Sequence, residues 1–336
     1  RIDGHAVVAN RVALARSGIT GDSRIEGGEV LLDAQGQPSG VLIDNAESLL
    51  QIAQSSEEER IEALLAAQAR CYSLGLTSVH DAGLPTEDID LIHRLQQDGQ
   101  LTIPLYVMVS ESPEALLEWK ARGPLKTERL DVHSFKFYSD GALGSRGALL
   151  RQPYHDRHDH FGLQIRSYAY MQDAAKEVAA MGWQMNTHAI GDSANHFMLD
   201  LYQEFAQEGS RWRIEHAQIV SASDRMRFGG PQALLPSVQP THATSDMDWA
   251  VERLGSHRMS DAYARALDAS RRAVAQRAAA SVKQRFSSAD EMGGEDMARL
   301  AEIRGLQRPR RSIRTLIRQT GSALAAVKPV VLASPL

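Results

Sequence analysis

Two histidines each close a short apolar run. His188 ends WQMNTH, residues 183–188, and His216 ends WRIEH, residues 212–216. Imidazole is a common zinc ligand, and two imidazoles from neighbouring strand ends can share one ion. The plainer alternative is a pair of buried histidines bonded to backbone. Lys136 stands between Phe135 and Phe137 inside HSFKFYSDG. A lysine is costly to bury as a cation without a partner. It is deprotonated, paired or chemically modified there, or only its stem is buried and its amine reaches Asp140 or solvent. A carbamylated lysine would present a carboxylate able to bridge two metal ions. Asp81, Asp140 and Asp192 follow apolar runs too. Each could orient a ligand histidine or contact substrate, and each could equally be a turn or helix-cap residue. The cluster HDRHDH, residues 155–160, looks metal-like but lies in a polar stretch without a scaffold. A solvated loop is the expected reading there.

Such groups do chemistry only if the chain brings them together. From about residue 55 the sequence alternates helix and strand. SSEEERIEALLAAQARCYSLG reads as a helix capped by Ser55 or Ser56 and stopped at Gly75. LTSVHDAG is a strand ending at His80 and Asp81. TEDIDLIHRLQQDG is a helix with Thr86 as its cap, and IPLYVMVS is the next strand. SPEALLEWKARG starts with Ser112 as cap and Pro113 in the first turn. After the Lys136 strand comes a long, polar, Gly-rich loop, then a helix closed by Gly182. The His188 strand follows, then a helix stopped at Gly209, the His216 strand, a short helix, and a strand over LLPSVQPTH ending at His242. About six such alternations imply a parallel sheet with right-handed crossovers. An open doubly wound sheet and a closed (β/α)8 barrel compete. Polar residues at most strand ends favour the barrel, whose strand C-termini converge on one face. No G-x-G-x-x-G follows a strand, so the dinucleotide-binding version has no support.

Composition narrows the function classes. The chain has 336 residues, 43% apolar and 24% charged, as in ordinary globular proteins. No apolar run is long enough to span a membrane. Cys71 is the only cysteine, so neither a disulfide framework nor a cysteine zinc site is possible within the chain, and a cytosol-like compartment is expected. Charge is uneven. Residues 271–336 carry 13 Lys and Arg against 5 Asp and Glu, whereas residues 1–270 carry 24 against 37. This marks a boundary near residue 270 between a first domain and an Ala/Arg-rich tail over 271–336. The tail has almost no aromatics for stacking on bases, so nucleic-acid binding is disfavoured and a solvated tail expected.

The segments DGHAVVANRVALARSGIT, GLTSVHDAG, FKFYSDGALGSRGALL, MNTHAIGDSAN, RIEHAQ and PSVQPTHATSDMDWA resemble the amidohydrolase superfamily, in its amidohydrolase-3 or YtcJ-like branch. They occur in that family's order over roughly residues 1–268. The resemblance implies a metal-dependent TIM-type barrel that hydrolyses carbon–nitrogen bonds other than peptide bonds in small amides. One or two divalent metals, zinc foremost, are implied as cofactors. By position, Lys136 resembles the lysine carbamylated in binuclear members, and His188 and His216 resemble the metal ligands of the fifth and sixth strands. His5, Asn10, Asp140 and His242 match positions that line the substrate pocket. The superfamily also uses a His-x-His on its first strand and an aspartate on its eighth as general base. No His-x-His precedes residue 80, and no matching aspartate motif follows residue 268, so no general base is assigned. The expected fold is therefore an incomplete barrel holding strands two to seven, in a sequence shortened at both ends. Its two open strand edges would favour self-association. The alternative reading is a catalytically inactive remnant of an amidohydrolase.

Overall fold

The computed structural model describes residues 4–240, together with His242 and Asp246. The basic tail expected over 271–336 lies outside the described residues.

Among the described residues, six parallel strands form the main sheet: β4 (Val79–Leu84), β5 (Leu105–Ser110), β7 (Leu130–Tyr138), β8 (Gln184–Ala189), β9 (Arg213–His216) and β10 (Leu235–Ser237). They lie side by side in chain order, and β6 (Leu125–Lys126) adds a short antiparallel pairing to β7. The order never reverses, as a doubly wound sheet would require at its switch point. This is a half-barrel, the incomplete (β/α)8 architecture expected from the sequence. Among the described residues β4 pairs only with β5 and β10 only with β9, so both edges are open.

The helices form where local chemistry dictates. In α2 (Glu57–Ser73) Ser56 and Glu59 make a reciprocal capping box. Ser112 caps α4 (Pro113–Arg122), with proline in the first turn. Ser167 caps α5 (Tyr168–Met181), and Gly182 ends it in the left-handed conformation. Three boundaries differ from expectation. Thr86 does not cap α3 (Thr86–Gln97); Pro85 holds that position without a side-chain bond. The Thr86 hydroxyl is engaged instead by Glu118 and by the Trp119 indole. α6 (Asp192–Phe205) stops short of Gly209 because Ala206 is already extended. β10 covers three residues rather than the run to His242. A further short helix, α7 (Ala222–Arg225), follows β9.

Strand side chains alternate between two faces. Val107, Val109, Phe135, Phe137, Met185 and Ile214 join the main apolar core with Ile92, Trp119, Met171 and Met198 of the covering helices. The alternate positions on the opposite face are Ser134, Lys136 and Tyr138 on β7, Asn186 and His188 on β8, and Arg213 and Glu215 on β9. One face therefore drives folding and the other carries polar groups. Burial of Phe135, Phe137 and their partners is worth roughly 1.5–3 kcal/mol per side chain before the ordering entropy is subtracted.

The N-terminal segment, for which no elements were expected, forms a separate antiparallel sheet. Its strands are β1 (Ala6–Val8), β2 (Gly28–Leu32) and β3 (Pro38–Asp44), in the order β1-β3-β2. The helix α1 (Arg11–Arg16) follows β1.

Candidate metal centre

Five of the residues singled out by sequence, His5, Lys136, His188, His216 and His242, come together at the C-terminal end of the half-barrel. The His188 and His216 rings lie 4.5 Å apart, centroid to centroid. His5 lies 4.6 Å from His188 on the other side, and His242 lies 5.5 Å from His216. Tyr138, at the end of β7, is 5.7 Å from His188. Lys136 Nζ lies 3.5 Å from the centre of the Tyr138 ring and donates to the Phe137 carbonyl at 3.3 Å. Parallel register brings these strand ends level, and the positive φ of His216, +73°, lets its side chain leave the core-facing alternation that Ala189 keeps. Lys136 is level with Asn186, Tyr138 with His188, and Ala189 with His216.

The hydrogen bonds define which ring nitrogens can take a cation. His188 Nε2 faces the Gly141 carbonyl at 3.3 Å, and Asp140 Oδ1 lies 3.5 Å away. Both oxygens accept, so Nε2 carries the proton and the Nδ1 lone pair is left. That Nδ1 is buried with no hydrogen-bond partner among the described residues. A buried orphan of this kind demands an explanation, and a coordinated cation would supply one. His216 Nδ1 lies 2.6 Å from Gln239 Oε1, while Gln239 Nε2 donates to the Ser237 carbonyl. The amide oxygen therefore accepts from Nδ1, leaving the His216 lone pair on Nε2. Outer partners that fix a ligand's tautomer in this way are typical of metal sites.

Electrostatics points the same way. Burial, reinforced by His216, His5 and Lys136, holds His188 well below the usual imidazole range. Burial and the nearby Lys136 pull His216 down to about 3. Burial lowers Lys136 to about 7, against the attraction of Glu215 and Glu111. Two neutral imidazoles and a partly neutral amine share one place. They suit a cation, filling two positions of a four-coordinate sphere and supplying an amine open to modification. Among the described residues no three His, Cys, Asp or Glu side chains surround one point.

Other expected site residues fall differently. Asp140 is fully buried, and its oxygens accept from three backbone amides: Ile190 at 2.9 Å, and Gly191 and Leu149 at 2.8 Å each. It ties the loop after β7 to the turn after β8. Burial pushes its carboxyl up to about 7, opposed by those three donors. Asn10 is exposed and caps α1 through the Ala13 amide, with no contact to the histidines among the described residues. Asp192 opens α6 and accepts from the Arg151 amide. His80 does not end its strand. It is the second residue of β4, level with Tyr106, with its ring near Arg213. Asp81 is the next residue, short of the strand's end at Leu84, and burial raises its carboxyl. In the HDRHDH segment His155 and His158 are exposed, Asp156 and Arg157 pair with Arg146 and Glu29, and His160 bonds the Arg146 carbonyl.

Four residues at the site had no individual signal in the sequence: Tyr138, Gln239, Asp44 and Glu111. Gln239 lies within the PSVQPTH segment, so its place was marked but its role was not. Glu111 follows β5, has a side chain only 4% exposed, and binds Arg166 and Tyr170. Gln239→Ala is expected to lower metal affinity about 10–100-fold by freeing the His216 ring. Zinc titration followed by calorimetry would measure it, with equal affinities as the contrary result.

The model of the amidohydrolase family matches residues 1–275. The chain belongs to that family. Among curated relatives it is 32% identical to Protein LONG AFTER FAR-RED 3 of Arabidopsis thaliana, over 77% of this chain and 47% of that one. It is 29% identical to the putative amidohydrolase YtcJ of Bacillus subtilis, over 79% and 51% respectively. An N-substituted formamide deformylase of Arthrobacter pascens is 24% identical, over 67% and 44%. A crystal structure of an uncharacterized metal-dependent hydrolase from Pyrococcus horikoshii aligns with a TM-score of 0.58 at 26% identity. That alignment covers 74% of this chain and 49% of the other. The chain spans about half the length of the curated relatives it matches. By homology the amidohydrolase fold here is that of metal-dependent hydrolases. Among the described residues, no helix is long and apolar enough to cross a membrane.

Proposed function

We propose that this chain is a metal-dependent hydrolase acting on the carbon–nitrogen bond of a small, non-peptide amide. The observation that carries the reading is the adjacent pair of neutral imidazoles, His188 and His216, each with its tautomer fixed by an oxygen acceptor. Their remaining lone pairs would hold a divalent cation, zinc foremost. When bound, it would lower the pKa of a coordinated water toward neutrality and polarise the substrate carbonyl. Lys136 is the third candidate ligand. Its neutral amine can add to carbon dioxide, forming an N–C bond and releasing a proton, which makes a carboxylate-bearing side chain. His5 and His242 flank the two ligands and would face the substrate. Asp140 would hold the loop that orients His188. The name of the Arthrobacter pascens relative supports an amide substrate. The edges of β4 and β10, unpaired among the described residues, would favour self-association.

A second reading is a non-catalytic member of the family that keeps the pocket. It is favoured by the lack of a third His, Cys, Asp or Glu at the centre among the described residues. Amine release from N-substituted formamides and other small amides, with zinc added, separates the two. The hydrolase reading expects turnover that a chelator abolishes and that is lost in His216→Ala. Bound metal without turnover of any amide would favour the second.

A further inference from the structure

We infer that Asp44 is a positioning residue of this site: its hydrogen bond fixes the His5 imidazole, in the Nδ1–H form, against His188. The inference rests on the hydrolase reading for its consequence but not for its geometry.

The N-terminal sheet brings the two residues together. β1 and β3 pair so that Ala6 is level with Ile43, and the Asp44 amide donates to the His5 carbonyl at 3.3 Å. The side chains then meet, with His5 Nδ1 2.6 Å from Asp44 Oδ1. An ionised carboxylate can only accept, so the ring proton sits on Nδ1 and the lone pair on Nε2. The same ring packs 4.6 Å from His188 and 6.4 Å from Tyr138. A sheet remote in sequence thus delivers an oriented imidazole to the candidate metal centre.

Asp44 is held there against three unfavourable features. Its φ is +50°, in the left-handed region that suits glycine. Its side chain is 1% exposed, and Oδ2 has no hydrogen-bond partner among the described residues. Oδ2 also lies so close to Gly141 and Gly147 that a Cβ on either would come within 2.1 or 2.4 Å of it. A residue needed only for the turn would be better served by glycine. An acid there is explained by the group it holds, and a carboxylate–imidazole pair beside a hydrolytic centre is a common way to set a histidine's tautomer and ring plane. Backbone strain of this kind concentrates at functional sites.

Nitrogen-15 spectra of histidine-labelled full-length protein test this, comparing wild type with Asp44→Gly and Asp44→Asn. Glycine removes the carboxylate and relieves the backbone, so the fold is expected to persist. Wild-type His5 is expected in the Nδ1–H form, with a mixture of tautomers in Asp44→Gly. Asp44→Asn, which keeps an oxygen acceptor, is expected to restore the wild-type form in part. His188, held by the Gly141 carbonyl, is expected to be unchanged in all three. In zinc-loaded protein that turns over an amide, Asp44→Gly is expected to lower kcat about 100-fold with KM within about threefold. His5 in the Nε2–H form in wild type, or unchanged in Asp44→Gly, would overturn the inference. The wild-type spectrum decides even if Asp44→Gly does not fold. The tautomers are read without turnover, so failure of the hydrolase reading would be seen separately.

Discussion

Lys136→Met is expected to stabilise the metal-free chain by about 2–5 kcal/mol at pH 6, an advantage that disappears near pH 10. Lys136 is 3% exposed, and among the described residues its amine donates to the Phe137 carbonyl alone. Burial lowers its amine from 10.5 to about 7 in the folded chain. Below pH 7 the amine is charged in both states, and the folded state carries the full desolvation penalty. Between pH 7 and 10.5 the unfolded chain binds a proton that the folded chain does not. Wild-type stability therefore rises with pH through that window relative to the variant, by about 1.4 kcal/mol per pH unit at most. Methionine keeps the apolar stem's volume without the charge. Urea unfolding at several pH values in buffer free of carbon dioxide would measure the difference. A constant difference, or a less stable variant at pH 6, would mean that the amine is charged and paired when folded.

Asp140→Ala is expected to cost about 3–5 kcal/mol, lowering Tm by about 10 °C. Three amides, the buried ones of Ile190 and Gly191 and the part-buried one of Leu149, lose their acceptor together. Among the described residues, no other side chain joins the loop after β7 to the turn after β8 through three such bonds. Asp140→Asn should recover part of the loss, because its amide oxygen can keep the Gly191 and Leu149 bonds while its nitrogen faces the Ile190 N–H. The effect should reach the metal centre as well, since the same loop places the Gly141 carbonyl against His188. Thermal unfolding of both variants, with zinc affinity measured beside it, checks this. A loss below about 1 kcal/mol would mean that water replaces the carboxylate and that the loop is held elsewhere.

The half-barrel was legible because its signals are local. Serine caps and glycine stops punctuate α2, α4 and α5, and apolar runs between them can only be buried strands. Lys136, His188 and His216 stood out because a polar residue in such a run must be explained, and parallel register then brings them to one end. Non-local features did not show. The Asp44–His5 bond spans 39 residues and depends on pairing within a small sheet whose strands are short and bulged. The Gln239–His216 bond depends on β10 ending three residues into its apolar run. Thr86 looked like a helix cap by type, but tertiary partners on α4 claim its hydroxyl. Asn10, expected at the pocket, satisfies a local helix end instead. Side-chain type marks a candidate, and only the folded partners decide between cap, clamp and ligand.

His188 and His216 are proposed to hold a divalent metal. The most direct test is elemental analysis of protein purified without chelator or histidine tag, beside the double variant His188→Ala/His216→Ala. About one or more divalent ions per wild-type chain are expected, consistent with a zinc-type site, with loss of that metal in the folded double variant. Equal metal in both proteins, or none in either after zinc is supplied, would contradict it.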